Sequence, residues 1–380
     1  MTAGPLAQRL RDLIDREGPL RFDGFQARAL YDPEGGYYER PGRVGRSGDF
    51  VTGASWHPAF ARCLARILSR LADGRPGPLD VVDVGAGEGE LLGHLSSSRP
   101  PGLDLRLLGV EASRTRREAA GAAVPGAAFY ASVEELPGGL DGLVVGYELL
   151  DALPVRAFRV LDDGSLAERA VGVDANGAFE WREVACPDGP LVVAGLASRG
   201  AVLEPGQLLE VRPGAAPLAR ALGSRLRSGL LLLFDYGAPT RALYGPARAN
   251  GTLEAFLGHR VTRDVLTEPG SRDITSWVDF GEVEEALRGE GLVVLLAEVE
   301  RLGVEAQQVG VGRRAALQPT SQHPRPHRIS LQLLVGEAEV DQEDALVPLA
   351  LLLCGRRAGQ DLLEEGSRFR EVAAGLGDGD

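Results

Sequence analysis

Val81–Glu90 reads VVDVGAGEGE, and the rest of the chain takes its meaning from that stretch. The apolar run Leu79, Val81, Val82, Val84 is short, rich in β-branched residues and bounded by Pro78 and Gly85, the pattern of a strand buried in a parallel sheet. Gly85, Gly87 and Gly89 then permit backbone conformations closed to other residues and let a ligand lie against the main chain. From Glu90 the spacing becomes helical, and the free N–H groups of a helix start make a polar floor for whatever binds there. A second acid, Glu111, closes the next apolar run, LRLLGVE. It stands about twenty residues past the turn, where an acid in a doubly wound sheet accepts hydrogen bonds from both hydroxyls of a ribose.

The acids choose among nucleoside ligands. A dinucleotide site usually reads G-x-G-x-x-G and faces a pyrophosphate, which Glu88 inside the turn and Asp83 ahead of it would repel. The same acids suit a ligand carrying a sulfonium and an ammonium. Asp83, Gly85, Ala86, Gly87, Gly89 and Glu111 therefore point to S-adenosyl-L-methionine as cofactor. A P-loop is excluded, because all 41 basic residues are arginine and that motif needs a lysine. Arginine abundance of this kind is a compositional bias and not a functional signal.

A formal net charge of −13 argues against general affinity for nucleic acid or anionic membranes. Cys63, Cys186 and Cys354 lie too far apart to suggest a zinc site or a disulfide framework, so no metal is expected. No N-terminal run has the apolar core of a signal peptide, and the expected setting is cytoplasmic. The apolar ALVPLALLLC at Ala345–Cys354 is too short for a membrane span and is expected to form a buried helix.

Helical spacing covers residues 5–17, 22–30 and 58–71, and between the last two lies YDPEGGYYERPGRVGRSGDFVTG, a loop long enough to serve as a binding element or lid. From Leu79, strands at 79–84, 105–111, 127–131, 141–147 and 229–237 alternate with helices near 88–95 and 113–120. That order predicts an α/β fold, an open, doubly wound parallel sheet with helices on both faces, interrupted by β-hairpins near 155–209. The expected organisation is an N-terminal helical and lid segment over 1–77, a cofactor-binding core over 78–300 and a partly helical C-terminal extension over 301–380.

Ligands in such sheets bind beyond the carboxyl ends of the strands. Those ends carry Asp83–Gly89, Glu111, the group Tyr147, Glu148 and Asp151, and then Asp235 and Tyr236; Ser132, after the third strand, is placed to meet an adenine edge. Glu148 and Asp151, three residues apart in YELLDALP, would share one face of a turn. Such a pair could clamp a guanidinium through paired hydrogen bonds or accept the proton lost when a nitrogen is methylated. The plainer alternatives are that Asp151 caps a helix and that Glu148 pairs with an arginine.

Six blocks, LYDPEGGYY at 30–38, GDFVT at 48–52, VVDVGAGEGEL at 81–91, YELLDALPVRAF at 147–158, FDYG at 234–237 and the long segment GTLEAFLGHRVTRDVLTEPGSRDITSWVDF at 251–280, together resemble the MidA family of class I methyltransferases. Mitochondrial members of that family assist assembly of respiratory complex I by methylating an arginine of one of its subunits. The resemblance implies a Rossmann-like class I methyltransferase fold, S-adenosyl-L-methionine as cofactor and a protein substrate, with a respiratory-complex subunit as the family's example. It implies that Gly85, Gly87 and Glu111 hold the cofactor and that the loop with Gly48, Asp49, Phe50 and Thr52 closes over it. Glu148 would orient and polarise the acceptor nitrogen, Asp151 would support it, and Tyr37, Tyr38 or Tyr147 would line the methyl channel. His259, Asp273, Thr275 and Asp279 fall in a block near the pocket, where a structural role weighs at least as heavily. Departures from the family's pattern include Tyr147, where members have asparagine, and GASWHP at 53–58, where they have Pro-Glu-Ile. They leave open a second expectation, a non-catalytic assembly factor that binds the cofactor without turnover. Long lids and an apolar C-terminal helix leave room for a homodimer.

Overall fold

The computed structural model describes residues 4–40, 58–257, 260–299 and 349–356. Its centre is a mixed sheet whose main strands run, in spatial order, Ala128–Tyr130, Leu105–Val110, Leu79–Val84, Leu140–Tyr147, Leu226–Ala238, Leu349–Arg356 and Val293–Val299. The first five are parallel, and the strand Leu349–Arg356 is antiparallel to both its neighbours. Side chains alternate as a two-sided sheet requires. Val82 and Val84 face a core built with the helices Ala215–Arg225 and Phe280–Gly289, while Leu79 and Val81 face one built with Pro58–Ala72 and Glu90–Ser98. Helices thus cover both faces, as the alternating sequence pattern predicts.

One expectation fails. The apolar run ending at Cys354, expected as a buried helix, is the strand Leu349–Arg356. A short continuous apolar run cannot be told from a buried helix by periodicity alone, and here it forms a sheet strand flanked on both sides. The central sheet is therefore completed by a strand from the segment set apart as a C-terminal extension.

Between the fourth and fifth parallel strands the chain builds a second, antiparallel sheet from Arg156–Val160, Leu166–Val173, Phe179–Ala185 and Leu208–Val211, with Leu20–Arg21 added from the N-terminus. The helices Pro5–Glu17 and Phe22–Tyr31 pack beside it, burying Leu10, Ile14, Phe22 and Phe25 with Val155, Ala157 and Val171. Each fully buried phenylalanine contributes roughly 1.5–3 kcal/mol relative to an exposed one. Gln26, wholly buried, fixes the second helix further: its amide donates to the Ile274 carbonyl at 2.9 Å and accepts the Val155 N–H at 2.9 Å. A three-stranded sheet of Glu254–Leu257, Arg260–Thr262 and Asp273–Thr275 lies next to this helix.

The strand order creates the site. From Leu79–Val84 the chain moves outward to Leu105–Val110 and Ala128–Tyr130, then returns to Leu140–Tyr147 on the other side. The loops after Val84 and Tyr147 therefore diverge, opening a crevice at the carboxyl edge of the sheet. Both acidic motifs sit there. Among the described residues no helix is long and apolar enough to cross a membrane.

Candidate active site

On one side of the crevice the glycine turn has the backbone its composition allows. Gly85 and Gly87 adopt φ values of 80° and 57°, a left-handed region that costs other residues about 1–2 kcal/mol. The N–H groups of Gly85 and Ala86 both donate to the Val110 carbonyl, at 2.8 and 2.9 Å, which ties the turn to the strand carrying Glu111. The Glu111 carboxylate accepts the Gly87 N–H at 2.9 Å and the Ser113 N–H at 2.8 Å. Burial raises its pKa, and those two donors together with the Arg116 guanidinium pull it back down. Gly89 serves packing: a Cβ there would stand 3.1–3.3 Å from Val124 and Ala120 of the neighbouring helix, Arg114–Ala123, and its surroundings. Ser132 precedes the one-turn helix Val133–Glu135, just past the third strand.

Asp83 is the informative acid. It is buried, and its carboxyl is pushed up to about 7, first by burial and then by the charges of Glu90 and Glu111. All three influences act in the same direction, so this corner of the crevice is short of positive charge. A ligand bearing a sulfonium and an ammonium supplies what is lacking, whereas a pyrophosphate would deepen the deficit. The residues present fit S-adenosyl-L-methionine.

The opposite side is the YELLDALP turn. Tyr147 ends the fourth parallel strand with its ring set between Phe60 and Phe234, at centroid distances of 5.3 and 5.6 Å, so much of that side chain belongs to the core. Glu148 follows with φ of 48°, one of two non-glycine residues among those described that lie in the left-handed region. Strain of this kind persists only where neighbours over-determine it. Here they do: the Glu148 N–H donates to the Phe234 carbonyl at 2.7 Å, and the N–H groups of Leu149, Leu150 and Asp151 converge on the Asp235 carboxylate at 3.3, 3.0 and 3.1 Å. From the other direction Arg212 donates to the carbonyls of Asp151 and Leu153 at 3.0 and 3.1 Å, and to those of Ser276 and Trp277 at 2.8 and 3.1 Å.

Asp151, expected to share the acceptor with Glu148, is instead buried against Asp235 and beside Arg212. Burial raises both carboxyls of that pair. Asp151 is thus part of the clamp that shapes the turn, while Glu148 stays half-buried at its start.

A third wall comes from residues distant in sequence. Tyr31 and Tyr38 stack with centroids 5.4 Å apart; the Tyr31 hydroxyl donates to the Ala152 carbonyl at 2.9 Å and the Tyr38 hydroxyl to Asp273 at 2.8 Å. Glu39 accepts from the Ser113 hydroxyl at 3.0 Å, which joins the N-terminal segment to the loop below Glu111. Of the other residues of the 251–280 block, Asp279 caps the helix Phe280–Gly289 by accepting the Gly281 and Glu282 N–H groups, the structural role weighed for it. Thr275 pairs with Glu254 in the small sheet. Gly48, Asp49, Phe50, Thr52 and His259 lie outside the described residues.

Arg212 had no signal of its own in the sequence, being one arginine among 41 basic residues. Ser113 and Glu39 were likewise invisible, since their meeting depends on how the N-terminal segment folds back. Elsewhere, Glu168, Cys186 and Asp188 have the spacing of metal ligands, yet Arg156 lies within 2.5–2.9 Å of both carboxylates and supplies the positive charge itself.

A doubly wound sheet with an acid-flanked glycine turn at its switch point, and a second acid ending the next strand, has the architecture of the class I methyltransferase fold. The chain belongs to the family of S-adenosyl-L-methionine-dependent methyltransferases, whose profile matches residues 59–297. A Burkholderia thailandensis protein of the COG1565 superfamily, solved with bound S-adenosyl-homocysteine, is 32% identical, with a TM-score of 0.69 over 78% of this chain and 81% of that one. The Xenopus tropicalis protein arginine methyltransferase NDUFAF7, mitochondrial, is 26% identical over 73% of this chain and 70% of its own length. The human protein of the same name is 25% identical over 75% and 69%. The chain is a methyltransferase that uses S-adenosyl-L-methionine, and the expectations of family, fold and cofactor hold.

Proposed function

We propose that the chain methylates a guanidinium nitrogen of an arginine in a protein partner. The observation that carries this reading is the strained Glu148, on a turn fixed by Asp235 and Arg212, across the crevice from a glycine turn flanked by Asp83 and Glu111. Such an environment attracts a cationic acceptor and repels an anionic one. The names of the frog and human relatives support the same acceptor class. A respiratory-complex subunit is the partner that the family resemblance favours.

When bound, the cofactor supplies an electrophilic methyl on a cationic sulfur. The chain's residues do the rest. Glu148 accepts a hydrogen bond from one guanidinium N–H, aims the nitrogen at the methyl carbon and takes the proton that leaves as the new N–C bond forms, the old C–S electron pair remaining on sulfur. Asp235 and Arg212 hold the turn so that no reorganisation accompanies the transfer, and positioning of this sort supplies much of the rate. Tyr31 and Tyr38 exclude water from one wall.

Two measurements test the proposal. Mass spectrometry of proteins from cells lacking the gene should show one or more methyl-arginines lost; an unchanged arginine methylation pattern with a methyl missing from another residue type would overturn it. Glu148→Gln should bind S-adenosyl-L-methionine with unchanged affinity yet lose about a hundredfold or more in turnover, the range typical of a removed general base. Full activity in that variant would take Glu148 out of the mechanism.

A further inference from the structure

We propose that Ser113 is a positioning residue for the cofactor's ribose, acting through Glu111, and that Glu39 holds it to that task from the N-terminal segment. The inference goes beyond the acceptor reading above and rests on Glu111 as the acid that receives the two ribose hydroxyls.

Glu111 is half-buried, and its polar groups are tied from several directions. Its N–H donates to the Tyr130 carbonyl at 3.0 Å, and the Arg117 guanidinium donates to its carbonyl at 2.6 Å. The Gly87 N–H reaches Oε2 at 2.9 Å and the Ser113 N–H reaches Oε1 at 2.8 Å. Each carboxylate oxygen thus accepts one backbone donor, and a carboxylate offers about four acceptor sites. About two remain, the number that the hydroxyls of a ribose require.

Ser113 sets half of that arrangement. It is almost fully buried, and its hydroxyl is used twice: as acceptor from the Arg116 N–H at 3.3 Å, which starts the helix Arg114–Ala123, and as donor to Glu39 at 3.0 Å. The first bond is a helix cap and needs only the oxygen. The second commits the hydroxyl proton to an acid 74 residues away. Keeping that acid there is unfavourable in itself, because burial already opposes the ionisation of Glu111 and the charge of Glu39 adds to the opposition. The gain is orientation. With both its proton and its acceptor site engaged, the Ser113 side chain has one setting, and the N–H of the same residue stays aimed at Oε1 of Glu111.

Glu39 is itself held. It ends the one-turn helix Tyr37–Glu39, in which Tyr37 is wholly buried and Tyr38 donates its hydroxyl to Asp273 at 2.8 Å. The Arg116 guanidinium carbon lies 5.2 Å from the centre of the Tyr38 ring, so the same short helix grips the 113–116 corner at a second point. On its other side the Tyr38 ring stacks on Tyr31, whose hydroxyl is bonded to the Ala152 carbonyl at 2.9 Å. Glu111 is therefore set by a segment that also touches the turn carrying Glu148.

The test measures binding to the full chain by calorimetry with two probes of equal charge, S-adenosyl-homocysteine and its analogue lacking both ribose hydroxyls. The wild type should bind S-adenosyl-homocysteine at least about tenfold more tightly than the analogue, the scale of hydrogen bonds to a charged group. Glu39→Ala should weaken S-adenosyl-homocysteine about fivefold or more and leave the analogue within about twofold of the wild type. Glu39→Gln, which keeps an oxygen to accept the Ser113 hydroxyl, should restore most of the loss. Ser113→Ala, which removes the hydroxyl and keeps the N–H, should reproduce the selective loss, and it carries the test if Glu39→Ala fails to fold. Either folded alanine variant that weakens both probes alike shows a scaffold role only and overturns the proposal, as does one that binds both probes as the wild type does. A loss in Glu39→Gln as deep as in Glu39→Ala assigns the effect to charge and overturns it too. A wild type that binds the two probes equally shows that Glu111 does not receive the ribose, which removes the premise and the inference together.

Discussion

Asp83 shows how a single side chain can trade stability against binding. Its carboxyl, pushed up to about 7 by burial, Glu90 and Glu111, is neutral in mildly acid solution and charged above neutrality. In the ligand-free protein the neutral form is the comfortable one. The stability it contributes is fully present below the unfolded-state value near 4 and is lost as pH rises through about 7. Cofactor binding is expected to have the opposite dependence, because a charged Asp83 facing the cationic ligand would attract it. Affinity for S-adenosyl-L-methionine should therefore rise about tenfold between pH 6 and pH 8 in calorimetry. Asp83→Asn should flatten that rise, weaken binding at pH 8 and increase the melting temperature of the ligand-free protein at the same pH. A pH-independent affinity in the wild type would show that Asp83 does not face the cofactor's charge.

The turn Tyr147–Leu153 carries the argument at the scale of an element. It is held from both ends of its peptide dipoles, Asp235 collecting N–H groups and Arg212 collecting carbonyls. Asp235→Asn, which keeps one acceptor oxygen but loses the charge, should leave cofactor affinity nearly unchanged while turnover falls at least about tenfold, as expected when an element is misaimed and its chemistry is intact. Equal loss of both would make Asp235 a general scaffold residue. Arg212→Met leaves Asp151 and Asp235 buried without their guanidinium and should cost about 3–5 kcal/mol in urea unfolding. Little of this clamp is visible in the sequence. Asp235 announces itself at the end of the run GLLLLFDYG, and Glu148 and Asp151 at the end of another, because continuous apolar runs mark parallel strands and the residues after them mark the crevice. What hides is that Asp151 turns inward, and that its partner is an arginine some sixty positions away. The glycine turn and Glu111 were legible for the converse reason: strand, turn, helix and acid follow one another along the chain, so spacing alone brings them together.

At the scale of the whole molecule, the strand Leu349–Arg356 is the part least expected and most needed. Its apolar residues, Leu349 to Cys354, form a continuous run that carries no period, and only the pairing with Leu226–Ala238 and Val293–Val299 decides their conformation. Ending the chain before Leu349 should remove the shared neighbour of two strands and leave the long Leu226–Ala238 strand with an unpaired apolar edge. Such a truncation is expected to aggregate or to lose its cooperative thermal transition, read by light scattering and calorimetry; a soluble, cooperatively melting product would refute the claim. The inserted strand also has a bearing on biosynthesis. A nascent chain emerging N-terminus first can form the crevice before the last strand exists, since the acids that the described residues place along it, Asp83, Glu111 and Glu148, all lie far upstream of Leu349. Its sheet stays unzipped along one margin until the ribosome has delivered residues beyond 348. For that interval the young protein presents an unpaired apolar margin along Leu226–Ala238, a seam open to association with other chains until its own last strand arrives.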